Sequence, residues 1–358
     1  RMVEGKRVMV TGAGGTIGSE LVRQIAAAKP EEIHLVEQSE FNLYQMDQEL
    51  GEKFPDLPRK AIIADVRDAE YMDRLIGELK PAVVFHSAAI KHVPLAEYNP
   101  HEAILTNVFG TKHVADACVK HGVSAMVLIS TDKAVNPANV MGATKRLAEC
   151  YCQAIGSDAK ARGNTRFLTV RFGNVLGSTG SVVPLFEKQL KQGGPITITH
   201  PDMVRYFMTV REAVELVLQA AAMGAQGDAS HSGAIFVVDM GQPVRIEELA
   251  VQMIRLAGLK PHEDIDIVYT GLRPGEKLYE ELFHYSESSL PTDLEGILLA
   301  SPRKMELSKL KSPLSKLYKT CVARDWSATR SQLQSLVPEF CPEEKKDAGS
   351  AQRIAHGG

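Results

Sequence analysis

The sequence predicts an α/β fold: a Rossmann-type doubly wound parallel sheet with a smaller C-terminal substrate-binding cap. Two observations support this prediction. Short β-rich runs alternate with stretches of 3.6-residue periodicity from about position 7 to position 172, a pattern typical of βαβ units. After Gly173 the loops lengthen and Pro and Gly become more frequent, which indicates a change of architecture.

Six runs rich in β-branched and apolar residues are predicted as parallel strands. They are Val8–Thr11, Glu32–Val36, Lys60–Ile63, Ala82–His86, Ala125–Ser130 and Phe167–Phe172. Periodic apolar residues predict helices over Ser19–Ala28, His101–His121 and Asn139–Ala161. We divide the chain into a dinucleotide-binding domain that carries the catalytic residues (1–173), a discontinuous cap that partly returns to the main sheet (174–300), a helical extension (301–340) and a disordered polar tail (341–358).

Composition narrows the class of protein. The chain has 358 residues and a formal net charge of −3, which argues against a dedicated nucleic-acid binder. Its five cysteines are scattered and odd in number, so we expect reduced thiols, a cytoplasmic location and no metal site. No apolar run reaches the ~18–20 residues of a membrane span, and no signal peptide is visible.

A glycine-rich loop follows the first predicted strand and opens a helix. Glycines at 12, 15 and 18 permit a tight turn, close approach of the backbone to a pyrophosphate and close helix–strand packing. Glu37 ends the second strand, where an acid bonds the adenosine ribose and repels a 2′-phosphate, so the sequence favours NAD over NADP. A plain tight turn and a solvated strand-end charge are the alternatives.

Two further strand ends complete the predicted cofactor site. Asp65 and Val66 follow the third strand, where they could contact adenine, and small residues follow the fourth, where close packing alone would also explain them. The predicted cofactor contacts are Gly12, Gly14, Gly15, Thr16, Ile17, Gly18, Glu37, Asp65, Val66, Ser87, Ala88, Ala89 and Lys145.

The catalytic candidates follow the fifth strand, at the sheet edge where ligands bind in this fold. Thr131, Asp132 and Lys133 lie there, and Met141 and Lys145 are four residues apart, on one face of a predicted helix. Nicotinamide enzymes of the short-chain type usually have Tyr-x-x-x-Lys at this place, with the Tyr as base. Met141 cannot transfer a proton. Asp132 and Lys133 add a carboxylate and an amine, which simple dehydrogenation does not need.

An adjacent acid and base suit oxidation followed by elimination. Oxidation of a sugar at C4 makes the C5 proton acidic, so a base can remove it while an acid protonates the departing 6-hydroxyl. We assign Lys133 as the base and Asp132 as the acid, with Thr131 bonding the 4-hydroxyl. The pKa of Lys133 is then expected to fall from ~10.4 toward ~7–8. An ordinary loop ion pair is the alternative reading of these two residues.

Several motifs together carry a family resemblance. They are Thr11–Gly18, Ala88–Pro94, Ser130–Ala134, Gly142–Lys145, Arg171–Val175, Asp202–Thr209 and Leu272–Lys277. On these motifs the chain resembles the bacterial UDP-N-acetylglucosamine 4,6-dehydratases, the polysaccharide-biosynthesis group of the extended short-chain dehydrogenase superfamily. Methionine at position 141 resembles the large, membrane-tethered subgroup, which retains configuration at C5.

The resemblance implies a substrate, a product and their contacts. UDP-N-acetylglucosamine would become UDP-2-acetamido-2,6-dideoxy-α-D-xylo-hexos-4-ulose for surface-glycan synthesis, with NAD recycled. By this resemblance, the pyrophosphate would be bound by Asn174, Arg205 and Arg273. The uridine would contact Glu276, Val183 and Pro184, and the hexose would lie near Lys91 and His92. A packed structural role for His92 stays open.

The resemblance also implies a homo-oligomer and an N-terminal membrane region in the full-length protein, with the catalytic part on the cytoplasmic face. Two other functions remain open. A nucleotide-sugar 4-epimerase shares the transient oxidation but has no use for Asp132 and Lys133. A non-catalytic NAD-binding regulator would fit Met141, but it gives no reason to keep Lys145 beside that pair.

Overall fold

The computed structural model describes residues 2–178, 181–226, 232–300 and 306–341. The first half alternates strands and helices. Its elements are β1 (Arg7–Thr11), α1 (Thr16–Ala27), β2 (Glu32–Glu37), α2 (Glu40–Lys53), β3 (Arg59–Ile63), α3 (Ala69–Leu79), β4 (Val83–His86), α4 (Val93–Tyr98), α5 (Pro100–Ile104), a π-helix (Leu105–Gly110), α6 (Thr111–Lys120), β5 (Ala125–Thr131), a 3₁₀ turn (Asp132–Ala134), α7 (Val140–Ser157), α8 (Ala159–Arg162) and β6 (Arg166–Phe172).

The second half has shorter strands and ends in two helices. Its elements are β7 (Asn174–Leu176), α9 (Val182–Lys191), β8 (Ile196–Ile198), β9 (Val204–Arg205), β10 (Phe207–Thr209), α10 (Val210–Gln226), β11 (Ala234–Val238), β12 (Val244–Arg245), α11 (Ile246–Leu256), β13 (Ile267–Tyr269), β14 (Ser289–Pro291), β15 (Ile297–Ala300), α12 (Leu307–Val322) and α13 (Trp326–Leu336).

The main sheet of the described residues has nine strands in the order β14-β15-β11-β6-β5-β4-β1-β2-β3. From β3 to β11 every neighbouring pair is parallel, while β15 and β14 are antiparallel additions at the far edge. Strands β1, β4 and β5 are buried almost throughout because helices cover both faces, which explains their continuous apolar runs. The predicted fold class, an α/β doubly wound parallel sheet, is confirmed.

Two predicted helices differ from the structure. The stretch predicted as one helix over His101–His121 consists of α5, the π-helix and α6. The helix predicted over Asn139–Ala161 ends at Ser157. Asp158 has extended backbone and caps α8, with its carboxylate accepting the backbone N–H groups of Lys160 and Ala161. A short acidic side chain that bonds the local backbone in this way competes with helix continuation.

The cap has a hydrophobic core of its own. Short strand pairs β7–β10, β8–β13 and β9–β12 form its framework. Helices α9 and α11 pack beside them around Phe186, Ile196, Ile198, Ile246 and Ile254. The cap can therefore hold its shape beside the two larger cores on the faces of the main sheet.

The C-terminal helices pack on one face of the main sheet. Leu314 and Leu317 of α12 join the core that α5, the π-helix and α7 form on one face of the sheet. Cys341 donates its backbone N–H to the carbonyl of Pro137 at 3.2 Å. Residues 342–358, most of the predicted disordered tail, lie outside the described residues. Within the described part of the chain, no helix is long and apolar enough to cross a membrane.

Candidate active site

A cavity of about 380 Å³ lies between the carboxyl ends of the central strands and the cap. It brings together residues that the sequence analysis assigned to cofactor, catalysis and substrate. Those in its lining are Thr16, Ile17, Ser87, Ala89, Lys91, His92, Thr131, Lys133, Met141, Lys145, Asn174, Arg205, Arg273 and Glu276. Motifs up to 260 positions apart in the chain therefore meet in one place.

The remaining predicted residues lie behind or beside the lining. Gly12, Gly14, Gly15, Gly18 and Ala88 form the packed loop at its base, and Asp132 lies buried behind Lys133. Val183 and Pro184 are in the first turn of α9, where their neighbours Val182 and Leu185 provide the lining instead.

The glycine loop has a shape that fits a dinucleotide. Gly12 has φ of +68°, and a Cβ there would lie 2.7 Å from the Ala88 backbone. A Cβ at Gly18 would lie 1.9 Å from the Gly12 carbonyl oxygen. The close contact of β1, α1 and the end of β4 therefore requires glycine at positions 12 and 18. No acidic residue occupies the first turn of α1, which leaves its N–H groups suited to a pyrophosphate.

Glu37 fixes the end of the same loop. Its Oε2 accepts the backbone N–H of Gly14 at 3.0 Å, and its Oε1 accepts those of Gln38 and Ser39 at 2.9 and 3.0 Å. The carboxylate is therefore held beside the glycine loop rather than free in solvent. It keeps lone pairs for further donors, as a ribose-binding acid must.

Asp65 and Val66 do not reach the cavity. The Asp65 carboxylate accepts from the backbone N–H and guanidinium of Arg67, which also pairs with Glu102 at 2.6 Å. Val66 is buried and packs against Gly110 of the π-helix. The adenine contact predicted for these two residues stays a prediction.

The catalytic loop is arranged around the carboxylate of Asp132. Its Oδ1 accepts from Thr131 Oγ1 at 2.9 Å and from Lys133 Nζ at 3.0 Å, while Lys133 also donates to Asn174 Oδ1 at 2.9 Å. Asp132 Oδ2 is buried without a hydrogen-bond partner among the described residues. Asp132 and Lys133 thus form an ion pair, as the alternative interpretation expected, but Lys133 lines the cavity instead of an ordinary loop.

The expected fall in the pKa of Lys133 is wrong for this geometry. Burial lowers the pKa of its ammonium, but the charges of Asp132 and Glu280 outweigh burial and raise that pKa above its ordinary value. Glu280 Oε1 lies 3.7 Å from Lys133 Nζ. No motif in the sequence indicated this second carboxylate, which lies almost 150 positions after Lys133 in the chain.

Lys145 and Met141 share one wall, as their spacing predicts. Lys145 Nζ donates to the carbonyl of Ile129 at 2.6 Å, and burial lowers its pKa to about 8 despite the opposing charge of Glu149. Met141 is 3% exposed and lines the cavity, so its side chain adds shape and no proton-transfer group.

The predicted substrate residues divide into held and exposed side chains. Arg205 donates to the carbonyls of Val204, Lys277 and Leu278 at 2.7–3.1 Å, so the backbone fixes its guanidinium in the wall. Arg273 is exposed, and its backbone N–H bonds Glu276 at 3.1 Å. On the opposite wall, burial lowers the pKa of Lys91 and of His92. The cavity therefore offers both fixed and mobile donors to an anion.

Sequence reasoning missed a second charged group beneath the site, which we call the sealed cluster (Arg146, Glu149, Arg171 and Glu287). Glu149 accepts from Arg171 at 2.7 and 2.8 Å and from Ser130 Oγ at 2.6 Å, and Arg171 also donates to Glu287 at 2.7 Å. The available signal was position 149, one helical turn after Lys145. Within the described residues, no group of three His, Cys, Asp or Glu side chains could hold a metal ion.

Comparison with known proteins agrees with this geometry. Residues 8–302 match the family model described as polysaccharide biosynthesis protein. The chain belongs to this polysaccharide-biosynthesis family. The extended short-chain dehydrogenase resemblance drawn from the motifs is therefore confirmed.

Relatives within the family cover different lengths. The capsular polysaccharide biosynthesis protein CapD of Staphylococcus aureus is 52% identical over 288 residues, which are 80% of this chain and 46% of that protein. A Campylobacter jejuni UDP-N-acetylglucosamine 4,6-dehydratase (inverting) is 34% identical over 84% of both chains. A Rickettsia akari UDP-glucose 4-epimerase is 37% identical over 81% of both chains. This chain thus spans about half the length of the CapD relative.

Among solved structures, that of Pen from Bacillus thuringiensis is 34% identical to this chain. The two superpose with a TM-score of 0.74, covering 86% of this chain and 90% of Pen. The likeness therefore includes the cap and is not limited to the nucleotide-binding half.

Proposed function

We propose that this protein is an NAD-dependent dehydratase that converts UDP-N-acetylglucosamine to UDP-2-acetamido-2,6-dideoxy-α-D-xylo-hexos-4-ulose. The observation that carries the proposal is the bonded pair Asp132 and Lys133, whose lysine lines the same cavity as Lys145 and Met141. The name of the Campylobacter relative supports the substrate.

The residues of this chain account for the proton transfers of such a reaction. NAD would be held by the glycine loop and Glu37, where it would supply hydride acceptance at C4 of the sugar and hydride return at C6. Thr131 Oγ1 donates to Asp132 Oδ1, which gives the 4-hydroxyl proton a hydrogen-bonded route, directly or through a water, to that carboxylate. Asp132 then passes this proton to the 6-hydroxyl, which leaves as water.

Lys133 supplies the base. In its neutral form it removes the C5 proton once C4 is a carbonyl, and it returns a proton to C5 after the C5–C6 double bond is reduced. Return to the same face retains the configuration at C5, as the resemblance at Met141 implies. The Campylobacter relative is named as inverting, so C5 is the position where this chain and that relative are proposed to differ.

The 4-epimerase is the second candidate, because the Rickettsia relative bears that name. An epimerase must also oxidise C4, but it returns the hydride to C4 and eliminates nothing. It has no role for an acid and a base directed at C5 and C6. The bonded Asp132–Lys133 pair in the cavity wall therefore favours the dehydratase.

Proton NMR of the protein with UDP-N-acetylglucosamine in D₂O separates the two. We expect a new 6-deoxy methyl signal with deuterium at C5, and the C5 coupling pattern to show retention. Formation of UDP-N-acetylgalactosamine would establish the epimerase, and an unchanged substrate in the presence of bound NAD would contradict both enzymes.

Asp132→Asn tests the assigned acid. The variant keeps the shape of the side chain but cannot hand on the proton from the 4-hydroxyl, so we expect dehydration to slow by about 10²-fold or more. Asp73→Asn is the matched control, since that carboxylate pairs with Lys120 and His121 on the surface. Full dehydratase activity in Asp132→Asn would show that the acid has been assigned wrongly.

We also propose that the full-length protein is tethered to a membrane, with this region on its cytoplasmic side. Support comes from the CapD relative, which is about twice as long as the matched region. Fractionation of the full-length protein tests this, and recovery in the soluble fraction would contradict it.

A further inference from the structure

Glu280 lies beside the catalytic lysine although no motif indicated a role for it. Its side chain is 5% exposed, and its Oε1 lies 3.7 Å from Lys133 Nζ and 3.9 Å from Arg205 Nη2. It reaches the site from the segment 273–281, which follows β13 in the cap. A carboxylate as buried as this one lies there only with cationic partners, and Lys133 and Arg205 are those partners.

The position of Glu280 is fixed by the loop that carries Lys133. Lys277 Nζ donates to the carbonyl of Val135 at 3.1 Å, and Asn139 Nδ2 donates to that of Gly275 at 2.9 Å. A Cβ at Gly275 would lie 2.6 Å from the Cβ of Asn139, so the two segments are in close contact. Segment 273–281 and the catalytic loop thus form one unit.

Charged groups surround Lys133 from three elements. Asp132 belongs to its own 3₁₀ turn, Glu280 to segment 273–281 and Arg205 to β9, while Asn174 of β7 provides an uncharged acceptor. Two anions thus face the ammonium, and the cation Arg205 offsets part of the charge of Glu280. An ammonium with these partners cannot remove a proton from carbon until it loses one of its own.

We propose that Glu280 is a positioning residue that sets the protonation state of Lys133, holding it as an ammonium in the resting site and thereby linking its basicity to the cap. The catalytic meaning of this inference rests on the proposed function, because it takes Lys133 as the C5 base. The effect of Glu280 on the protonation of Lys133 does not depend on the proposed function, because it follows from the distance between the two side chains. Its test therefore needs a measurement without substrate.

The test is the NMR titration of ¹³Cε-labelled lysine in the folded chain of 358 residues. The Lys133 signal is assigned by its loss in Lys133→Met. We expect Glu280→Gln to lower the midpoint of that signal by about one to three pH units, the range for removing a charge 3.7 Å away in media from water-like to partly buried. An unchanged midpoint in a folded Glu280→Gln variant would overturn the inference.

Two variants guard against misleading results. Glu281→Gln removes the next carboxylate of the same segment, which bonds Asn136 and Lys277 instead of Lys133, and should leave the midpoint unchanged. Glu280→Asp keeps the charge and should hold the midpoint closer to that of the natural chain than Glu280→Gln does. If Glu280→Gln does not fold, Glu280→Asp decides, because its shorter side chain withdraws the charge from Lys133 Nζ. A midpoint below that of the natural chain then supports the inference, and an unchanged midpoint overturns it.

Turnover measurements separate this inference from the proposed function. We expect the acidic limb of kcat/KM to move to lower pH in Glu280→Gln by the same interval as the NMR midpoint, because this limb reports the free-enzyme pKa of the base. If the natural chain forms no 6-deoxy product, the proposed function fails while the titration still decides the role of Glu280. If the natural chain dehydrates its substrate and the titration does not move, only the inference fails.

Discussion

Two buried charge clusters meet the ends of β5 and β6, and they differ in how completely they are closed. In the sealed cluster, the side chains of Glu149, Arg171 and Glu287 are 0–1% exposed, and both carboxylates are bonded to Arg171. In the cluster that lines the cavity, Lys133 is 20% exposed and Asp132 Oδ2 has no hydrogen-bond partner in the part of the chain that the structure describes. Full pairing suits a scaffold, because each charge is compensated permanently, whereas incomplete pairing leaves capacity for a substrate.

Glu149→Gln should give the largest effect and tests the scaffold side of this comparison. Removing one charge leaves Arg146 and Arg171 undercompensated in the interior, so we expect the free energy of unfolding to fall by about 4 kcal/mol. Urea denaturation measures it. Glu49→Gln is the control, because its ion pair with Arg23 is partly exposed and should be worth about 1 kcal/mol or less. Equal losses in the two variants would remove the distinction between sealed and exposed pairs.

Lys133→Met should affect chemistry more than folding. We expect dehydration and deuterium incorporation at C5 to fall about 10²- to 10³-fold, since the base is lost. The melting temperature should also fall, because Asp132 and Glu280 lose a cationic partner, but the chain should stay folded, since Lys133 is 20% exposed. Lys120→Met, at an exposed lysine of α6, is the control. A variant that unfolds would place Lys133 with the sealed cluster instead.

His86 extends the comparison to a buried group without a counter-ion. It bonds Thr11 and Thr111, and burial, followed by the charge of Lys145, lowers its pKa to about 3. The imidazole is therefore neutral when folded but binds a proton below about pH 6.5 when unfolded. Its contribution is present above that pH and is lost as the pH falls toward 3.

Urea unfolding at pH 7 and pH 5 measures this contribution. Because of His86, we expect the free energy of unfolding to be about 2 kcal/mol lower at pH 5 than at pH 7. His86→Gln should not show this decrease. The two proteins would lose stability in parallel if His86 titrated normally in the fold.

Glu37→Gln should have the smallest effect of the four. The amide keeps one acceptor for the N–H groups of the glycine loop but weakens a ribose contact, so we expect NAD to bind about three- to tenfold more weakly with little change in stability. Calorimetric titration measures it, with Glu40→Gln on α2 as control. An unchanged affinity for NAD would mean that Glu37 only holds the loop through its backbone hydrogen bonds.

The six predicted strands agree with β1 to β6 to within one residue at each end, whereas β11, which is parallel to β6, was not predicted. Helices cover both faces of β1, β4 and β5, which forces continuous apolar runs that stand out in the sequence. Motif spacing also placed Lys145 beside Met141, because four residues make about one helical turn. The π-helix at 105–110 has no comparable signal, since it differs from an α-helix by one inserted residue in the bonding pattern.

The charge environment of the site could not be predicted. Glu280 comes from a segment almost 150 positions after Lys133, and Glu287 lies 116 positions after Arg171. Which carboxylate meets which cation depends on how the cap and the sheet edge are placed, and spacing along the chain holds no information on that. The error in the predicted pKa of Lys133 follows directly from the missing Glu280.

The bond between Arg146 and Glu339 has a consequence for how the molecule is made. The guanidinium of Arg146, in the catalytic helix, is 1% exposed, and its partner at 2.9 Å lies 193 positions later. Because a ribosome releases the chain from its N-terminus, α7 carries Arg146 and its first carboxylate partner, Glu149, out long before the second partner, Glu339. A nascent chain can form the strands and helices of the first half early. It completes the ion pairs of Arg146 only when synthesis has passed position 339.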